Sequence, residues 1–430
     1  MRISYITAGA GGMYCGSCLR DNTLAAAMKD AGHDVLLIPT YTPTRTDETN
    51  FSHRRVFLGG INVYLEQRFR LFRRLPRLLH RLLDVNSVLR LATSRGVSVN
   101  PAELGELTVS MLRGVEGPQD REIRTLVRFL AEEARPDVIN LPNCLLISLA
   151  PAIKQQMNLP VCCTLQGEEL FLKSLPEPYR AESIRLIRSH SEYVDAFIAV
   201  SAFGAQCMSG YLQIDRARIR VAPLGIHFDG YERRTGADPE PFTIGYLARV
   251  APEKGLHLLC ESYRRLRSRA DLPPSRLCAA GYLAPEHSAY LENIKRDFHS
   301  AGLDRHFEYK GEFDRPGKIA FLHNLSLLSV PATYDEPKGL SLLEAMAAGV
   351  PVVQPRRGAF TEVIERTGGG ILVQPDDPDA LAEGILELWR HPAKRKEMGE
   401  RGYCGVREHH GAVQMARRVL AIYEEIRAGS

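Results

Sequence analysis

With one tryptophan, 7% aromatic residues and a surplus of only four positive charges, this 430-residue chain lacks the marks of several protein classes. Fifty-five Lys and Arg against 51 Asp and Glu give no reason to expect a nucleic-acid partner. No stretch reaches the roughly 18 consecutive apolar residues that a bilayer-spanning helix needs. Cysteines number nine, are odd in count and lie scattered, which excludes a disulfide framework and suits a reducing compartment. Cys15-Gly-Ser-Cys18 has the spacing of a metal or redox pair. No second such pair and no nearby histidine completes a zinc set, so small residues in a turn are the preferred reading. The apolar run after Met1 is too short for the core of a signal peptide and reads as a first buried strand. On these grounds a cytoplasmic protein is expected. What remains, 44% hydrophobic and 25% charged, is the composition of a globular enzyme.

Short apolar runs rich in β-branched residues alternate with longer amphipathic stretches. Candidate strands fall at 3–7, 35–39, 137–141, 161–165, 196–200 and 220–222, then at 243–247, 276–280, 307–310, 325–330, 351–354 and 371–373. Helical patterns between them include 22–31, 256–267, 287–299, 342–348 and 380–390. Strands that are apolar on both faces, each followed by a helix, indicate parallel sheets covered on both sides. The alternation runs twice and predicts two doubly wound α/β domains of Rossmann-like type. Glycine, proline and charge concentrate around Pro223-Leu224-Gly225-Ile226-His227 and 233–239, which sets the domains at 1–228 and 229–409.

One segment differs from the rest. From Arg68 to Arg95 the chain carries eight arginines and one acid, Asp84, interleaved with leucines and phenylalanines. Such a segment lies peripherally on an anionic membrane, here the inner face, or forms an ordinary surface helix pair that buries leucine and solvates arginine. The second reading is the stronger.

The loop Gly9-Ala10-Gly11-Gly12 follows the first strand and precedes a helix, but a dinucleotide fingerprint started at Gly9 needs glycine where Tyr14 stands. The acid expected after the second strand is also missing, so hydride transfer is not indicated. Gly11 and Gly12 still permit close backbone approach by a ligand. More informative is the run Pro331 to Val353, which reads strand, loop, helix, turn, strand. Gly339, Leu340 and Ser341 stand where the helix begins, with amides that have no intrahelical partner and a positive dipole end that suits a diphosphate. Glu336 precedes this anion site and Glu344 lies eight residues on, on the helix itself, one carboxylate suited to the hydroxyls of a sugar and the other to a ribose diol. Gly245, Arg249, Lys254 and Gly255 form a strand and loop bearing a planar fork and a mobile point charge for phosphate oxygens. No metal ligand set is needed for that neutralisation.

On these residues the chain resembles the retaining glycosyltransferases of the GT-B fold, family 4. Glu336 to Glu344 is similar to that family's E-x7-E motif, and Gly245, Arg249, Lys254 and Gly255 to its phosphate loop. Segments 358–364 and 370–375 follow in the expected order, and Pro223-Leu224-Gly225-Ile226 is similar to the stretch that closes the first domain. The resemblance implies a nucleotide-sugar donor in the second domain, an acceptor on the first and a cleft between facing domains. It also implies a final helix, about 410–430, packed back on the first domain. Two departures stand out. Gln166, followed by Glu168 and Glu169, occupies the place of a usual histidine; glutamine still donates a hydrogen bond but does not titrate. Lys338, after Glu336-Pro337, adds charge near the phosphates.

The expected reaction is metal-independent transfer of a sugar from a nucleotide diphosphate, a co-substrate rather than a cofactor, to an acceptor hydroxyl with retention. Glu336, Arg249 and Lys254 are the expected catalytic residues. Gly245, Glu344, Gly339, Leu340, Ser341 and Lys338 form the expected donor site, and Gly11, Gly12, Gln166 and Glu168 the acceptor side. A nucleotide-sugar epimerase and a non-catalytic nucleotide-sugar-binding protein are the alternatives.

Overall fold

The computed structural model describes residues 1–9, 15–58, 101–233, 239–269 and 274–429. The chain divides into two units, one of Met1–Pro223 with Ala412–Ser430 and one of Leu224–Gly411. The expected boundaries at 228 and 409 therefore shift by a few residues. The cause is packing. Leu224 and Ile226 are buried in the core of the second unit, where the Ile226 amide donates to the His410 carbonyl at 2.9 Å.

In the first unit the elements run β1 (Arg2–Thr7), α1 (Gly16–Asp30), β2 (Asp34–Pro39), α2 (Pro101–Leu112), α3 (Asp120–Phe129) and β3 (Val138–Leu141). They continue with α4 (Leu149–Met157), β4 (Val161–Leu165), α5 (Glu169–Ser174), α6 (Tyr179–His190), β5 (Ala196–Ala199), α7 (Ala202–Leu212) and β6 (Ile219–Val221). All strand pairs are parallel, in the order β2-β1-β3-β4-β5-β6. Runs such as Val138–Leu141 and Val161–Leu165 are buried at every residue because helices cover both faces, which is why they carry no polar alternation.

Helix α1 begins six residues earlier than its apolar pattern suggests. Arg20, Asp21 and Asn22 on its first turns are buried, so a polar sequence there disguises an interior helix. Cys15 is its N-cap and Cys18 lies in its first turn, which replaces the expected loose turn. Gly11, Gly12 and the basic stretch from Arg68 to Arg95 lie outside the described residues.

The second unit runs β7 (Phe242–Leu247), α8 (Leu256–Arg267), β8 (Ser275–Ala280), α9 (Ser288–Ser300), β9 (Phe307–Tyr309), α10 (Arg315–His323) and β10 (Leu327–Leu328). It then continues α11 (Leu340–Ala347), β11 (Val352–Pro355), α12 (Gly358–Thr367), β12 (Gly370–Val373), α13 (Pro378–Arg390) and α14 (Pro392–His409). Its parallel order is β12-β11-β10-β7-β8-β9. The chain moves outward from β7 through β8 to β9, then returns to the other side of β7. The strand order thus reverses between β7 and β10, and a crevice at the carboxyl ends of such a pair is where open α/β sheets bind ligands. The expected strand over 325–330 is paired only at Leu327 and Leu328, a short but fully buried contact with β7 and β11.

A last helix, α15 (Ala412–Ala428), rejoins the first unit against α1. It buries Met415, Ala416, Val419 and Tyr423 with Ile3, Tyr5, Leu24 and Met28. Among the described residues no helix is long and apolar enough to cross a membrane.

Candidate active site

The reversal between β7 and β10 brings two loops together that are about eighty residues apart in sequence. The loop after β7 carries Arg249 and Lys254 and feeds α8; the loop after β10 carries Tyr334, Glu336 and Lys338 and feeds α11. Backbone contacts join them. The Thr333 amide donates to the Glu253 carbonyl at 2.9 Å. Gly255, at φ +73°, caps α8 so close to the Pro331 carbonyl that a Cβ there would lie 1.8 Å from its oxygen. Glycine is required at that point, both for the left-handed backbone and for the approach.

Within this frame Lys254 Nζ pairs with Glu336 Oε2, their side chains only 18% and 11% exposed. Lys254 also donates to the Tyr334 hydroxyl, which in turn donates to Glu336 Oε2. The ammonium lies over the Tyr334 ring, 4.9 Å from its centroid. Both side-chain bonds thus fall on Oε2 of Glu336, and Oε1 faces no donor among the described residues. Burial pushes the Glu336 carboxyl up, but the charge and hydrogen bond of Lys254, the Tyr334 hydroxyl and nearby Lys338 outweigh it and hold it below its ordinary value. Burial and the Glu336 charge push the Tyr334 phenol far up, so it stays a donor.

Glu344 repeats the pattern one helix turn deeper. Its Oε1 accepts from Lys318 Nζ, at 2.5 Å, and from the Tyr231 hydroxyl, at 3.3 Å. Side-chain exposure is 11% for Lys318 and 9% for Glu344. Each glutamate is therefore clamped by one lysine and one tyrosine on a single oxygen. Tyr334, Lys318 and Tyr231 escaped the sequence reading. Lys318 stands 26 residues before Glu344 and Tyr231 113 before it, with no motif linking them.

Gly339, at φ +73°, caps α11 with no side-chain hydrogen bond, so the amides of Leu340 and Ser341 open the helix without a side-chain acceptor. Gly358 at the start of α12 closes the rear of the loop. The Ala359 amide donates to the Glu336 carbonyl at 2.8 Å, and a Cβ on Gly358 would lie 2.4 Å from that oxygen. Arg249 is more open, 44% exposed, and pairs with Glu253. Its charge reaches the Tyr334 phenol. Gly245 lies inside β7 rather than in the loop. A Cβ there would fall 2.1 Å from Leu325 Cδ1, so its smallness serves packing beneath the site and not contact with a phosphate.

In the first unit, Gln166 follows β4 and is buried. Its Nε2 donates to the Pro142 carbonyl at 3.0 Å and to Asp21 Oδ1 at 3.3 Å. Two acceptors facing that nitrogen fix the carboxamide's orientation. Both carboxamide hydrogens of Gln166 are thus directed at protein acceptors. Its other carboxamide atom, Oε1, is a buried acceptor with no partner among the described residues. Glu168 Oε2 accepts from the Gln166 amide at 2.9 Å and shapes the turn. Asp21 gathers Tyr5, Thr7 and Arg20 as well. Burial raises its carboxyl pKa, against the pull of Arg20 and its hydroxyl donors.

Comparison with known proteins accords with this arrangement. The model of the family described as glycosyl transferases group 1 matches residues 228–404, and that of a glycosyl transferase 4-like domain matches residues 22–225. Phosphatidyl-myo-inositol mannosyltransferase of Mycobacterium tuberculosis is 27% identical over 253 residues, which is 57% of this chain and 63% of that protein. The match therefore spans less than two thirds of the relative's length. Sucrose-phosphate synthase from Thermosynechococcus elongatus superposes with a TM-score of 0.72 at 18% identity, over 100% of this chain and 99% of the other. Anabaena HepE in complex with UDP gives 0.68 at 17% identity, over 99% and 100%. At these identities the solved structures speak for the fold, and the family models for the class. The chain belongs to the group 1 glycosyl transferases and has the GT-B fold.

Proposed function

We propose that the protein moves a sugar from a nucleotide diphosphate to an acceptor hydroxyl, with retention of anomeric configuration and without a metal ion. The observation that carries this reading is the pair of clamped glutamates at the strand-order reversal, each with one carboxylate oxygen committed to protein donors and one left over. A fixed carboxylate with an open oxygen is suited to orient hydroxyls. Glu336 takes those of the transferred sugar and Glu344 those of the ribose. Departure of the diphosphate builds negative charge, which Lys254, Arg249 and the Leu340 and Ser341 amides oppose. Lys254 has three ammonium protons and gives two to Tyr334 and Glu336, so one remains for a phosphate oxygen. Lys338 adds long-range charge. The UDP held by HepE, a structure of like fold, supports a nucleoside diphosphate as the ligand. Gln166 and Glu168, with Gly11 and Gly12, form the acceptor side in this reading.

Arg249→Ala and Glu336→Ala should each lower turnover about tenfold or more, since preplaced donors of this kind contribute roughly 10²–10³ in rate. Arg249→Ala should melt near wild type, whereas Glu336→Ala, which leaves the buried Lys254 without its carboxylate, should melt lower, so its turnover is read below the melting transition. Normal transfer by both variants, or isomerised donor sugar formed in the absence of acceptor, would overturn the assignment. The tuberculosis relative acts, by its name, on a phosphatidylinositol. On that support the reading extends to a cytoplasmic protein in peripheral contact with an anionic membrane through the stretch from Arg68 to Arg95. Sedimentation with anionic vesicles should then occur at low salt and fade at high salt. No pelleting at either salt sinks the extension and leaves the transfer reading standing.

A further inference from the structure

The proposed transfer chemistry makes no use of Cys15 and Cys18. Cys15 is the N-cap of α1, in extended backbone conformation (φ −117°, ψ 126°), and no side-chain hydrogen bond caps the helix there. Cys18 is the third helical residue. N-cap and third-residue side chains turn toward each other at a helix start, which is the geometry of reciprocal capping pairs. Here the two thiols are hydrogen-bonded to one another, and the Gly9 amide donates to the Cys18 sulfur. Cys15 is half-buried, whereas Cys18 is 1% exposed.

No other two cysteines share the first turn of an α-helix: Cys144 and Cys163 interact but are both buried in the first unit's core, and Cys207 is half-buried within α7. Cys162 and Cys163 are adjacent in β4 and point to opposite faces of the sheet, into separate cores. Cys144, Cys260 and Cys278 are buried, and Cys404 is exposed on α14. Among the described residues no three histidine, cysteine or carboxylate side chains cluster as metal ligands.

We propose that Cys15 and Cys18 form a redox-active dithiol, oxidised reversibly to an intramolecular disulfide by low-molecular-weight disulfides. Cys15 is the attacking thiol, being the more accessible and sitting at the positive end of α1, where a thiolate is favoured. Its sulfur bonds to one sulfur of the reagent and expels the other as a thiolate, which takes up a proton. The Cys18 thiol then attacks Cys15 Sγ and passes its proton to the departing reagent sulfur. The Cys15–Cys18 bond forms and the second reagent thiol leaves. One disulfide and two protein thiols thus become two small thiols and one protein disulfide, a two-electron exchange. The hydrogen bond to Cys15 and burial hold the Cys18 proton tightly, which suits a resolving thiol that acts only after Cys15 has reacted.

The test is titration of the full-length protein in glutathione buffers, with alkylation of free thiols and digestion by trypsin. The peptide of residues 3–20 contains both cysteines and no other. It should lose two hydrogens as oxidised glutathione rises, in a ratio that follows [GSSG]/[GSH]², and regain them with dithiothreitol. Cys404 serves as the reference for unselective oxidation. Cys18→Ser should stop at a glutathione adduct on Cys15. Two alkyl groups on the peptide in every buffer would overturn the proposal. A lasting glutathione adduct in the wild-type chain, or oxidation that touches Cys404 equally, would do so too. The wild-type titration decides the matter even if the variant does not fold.

Discussion

Lys254 and Glu336 meet across 82 residues of chain, and their pairing serves both the stability of the second unit and the charge state of the site. A carboxylate this buried is costly unless its partner stays in place. Lys254→Met should therefore destabilise the protein by about 2–4 kcal/mol, read by chemical denaturation at pH 7. The pH dependence has a definite sign. The folded Glu336 carboxyl lies below its ordinary value, so its stabilising contribution is complete above the unfolded carboxyl value of about 4.3 and is lost as pH falls through the lower folded value. Without Lys254, burial raises the Glu336 carboxyl, so the gap between wild type and Lys254→Met should be widest at neutral pH and narrow as pH falls. A gap that widened in acid would contradict the pairing. Sequence reasoning named both residues but not their bond, nor the Tyr334 hydroxyl between them, because spacing along a chain carries no distance across it.

At the scale of elements, the site depends on how the starts of α8 and α11 sit on the carboxyl ends of β7 and β10. Gly255 is the tightest point, with its left-handed backbone set against the Pro331 carbonyl. Gly255→Ala should cost about 2 kcal/mol or more, combining the left-handed penalty of roughly 1–2 kcal/mol with displacement of the Pro331 strand end. Thermal denaturation would show it. Turnover should fall as well, because the displaced loop bears Tyr334 and Glu336. Melting like wild type would show that the loop yields freely. Most elements were legible, since an apolar run covered by helices on both faces has a simple signature. The start of α1 was not, because Arg20 and Asp21 are buried there by bonding each other, and Asn22 by donating to the Thr49 carbonyl, rather than by being apolar. Strand β10 was overextended for the opposite reason. Residues 325–330 are all buried, but only two enter the ladder.

For the molecule as a whole, the notable feature is that the chain leaves the first unit at Pro223 and supplies it with α15 from Ala412 onward. Tyr423 is fully buried there among Ile3, Tyr5 and Leu24. Tyr423→Ala should lower stability by about 3–5 kcal/mol, as other large aromatic truncations do. The loss should appear in hydrogen exchange of α1 and β1, which α15 covers, before it appears in β7 or β10. Uniform loss across both units, or none in α1, would contradict this placement.

The order of strands and helices, the buried character of the sheets and the paired motif glutamates were determined by the sequence itself, because each is a local pattern of apolar, glycine and charged residues. The tertiary structure alone decided which side chains those glutamates lean on and which acceptors, the Pro142 carbonyl and Asp21, take the carboxamide hydrogens of Gln166. Such contacts arise where distant loops converge on a sheet edge. A hydrogen bond of about 3 Å depends on the packing of every element beneath it.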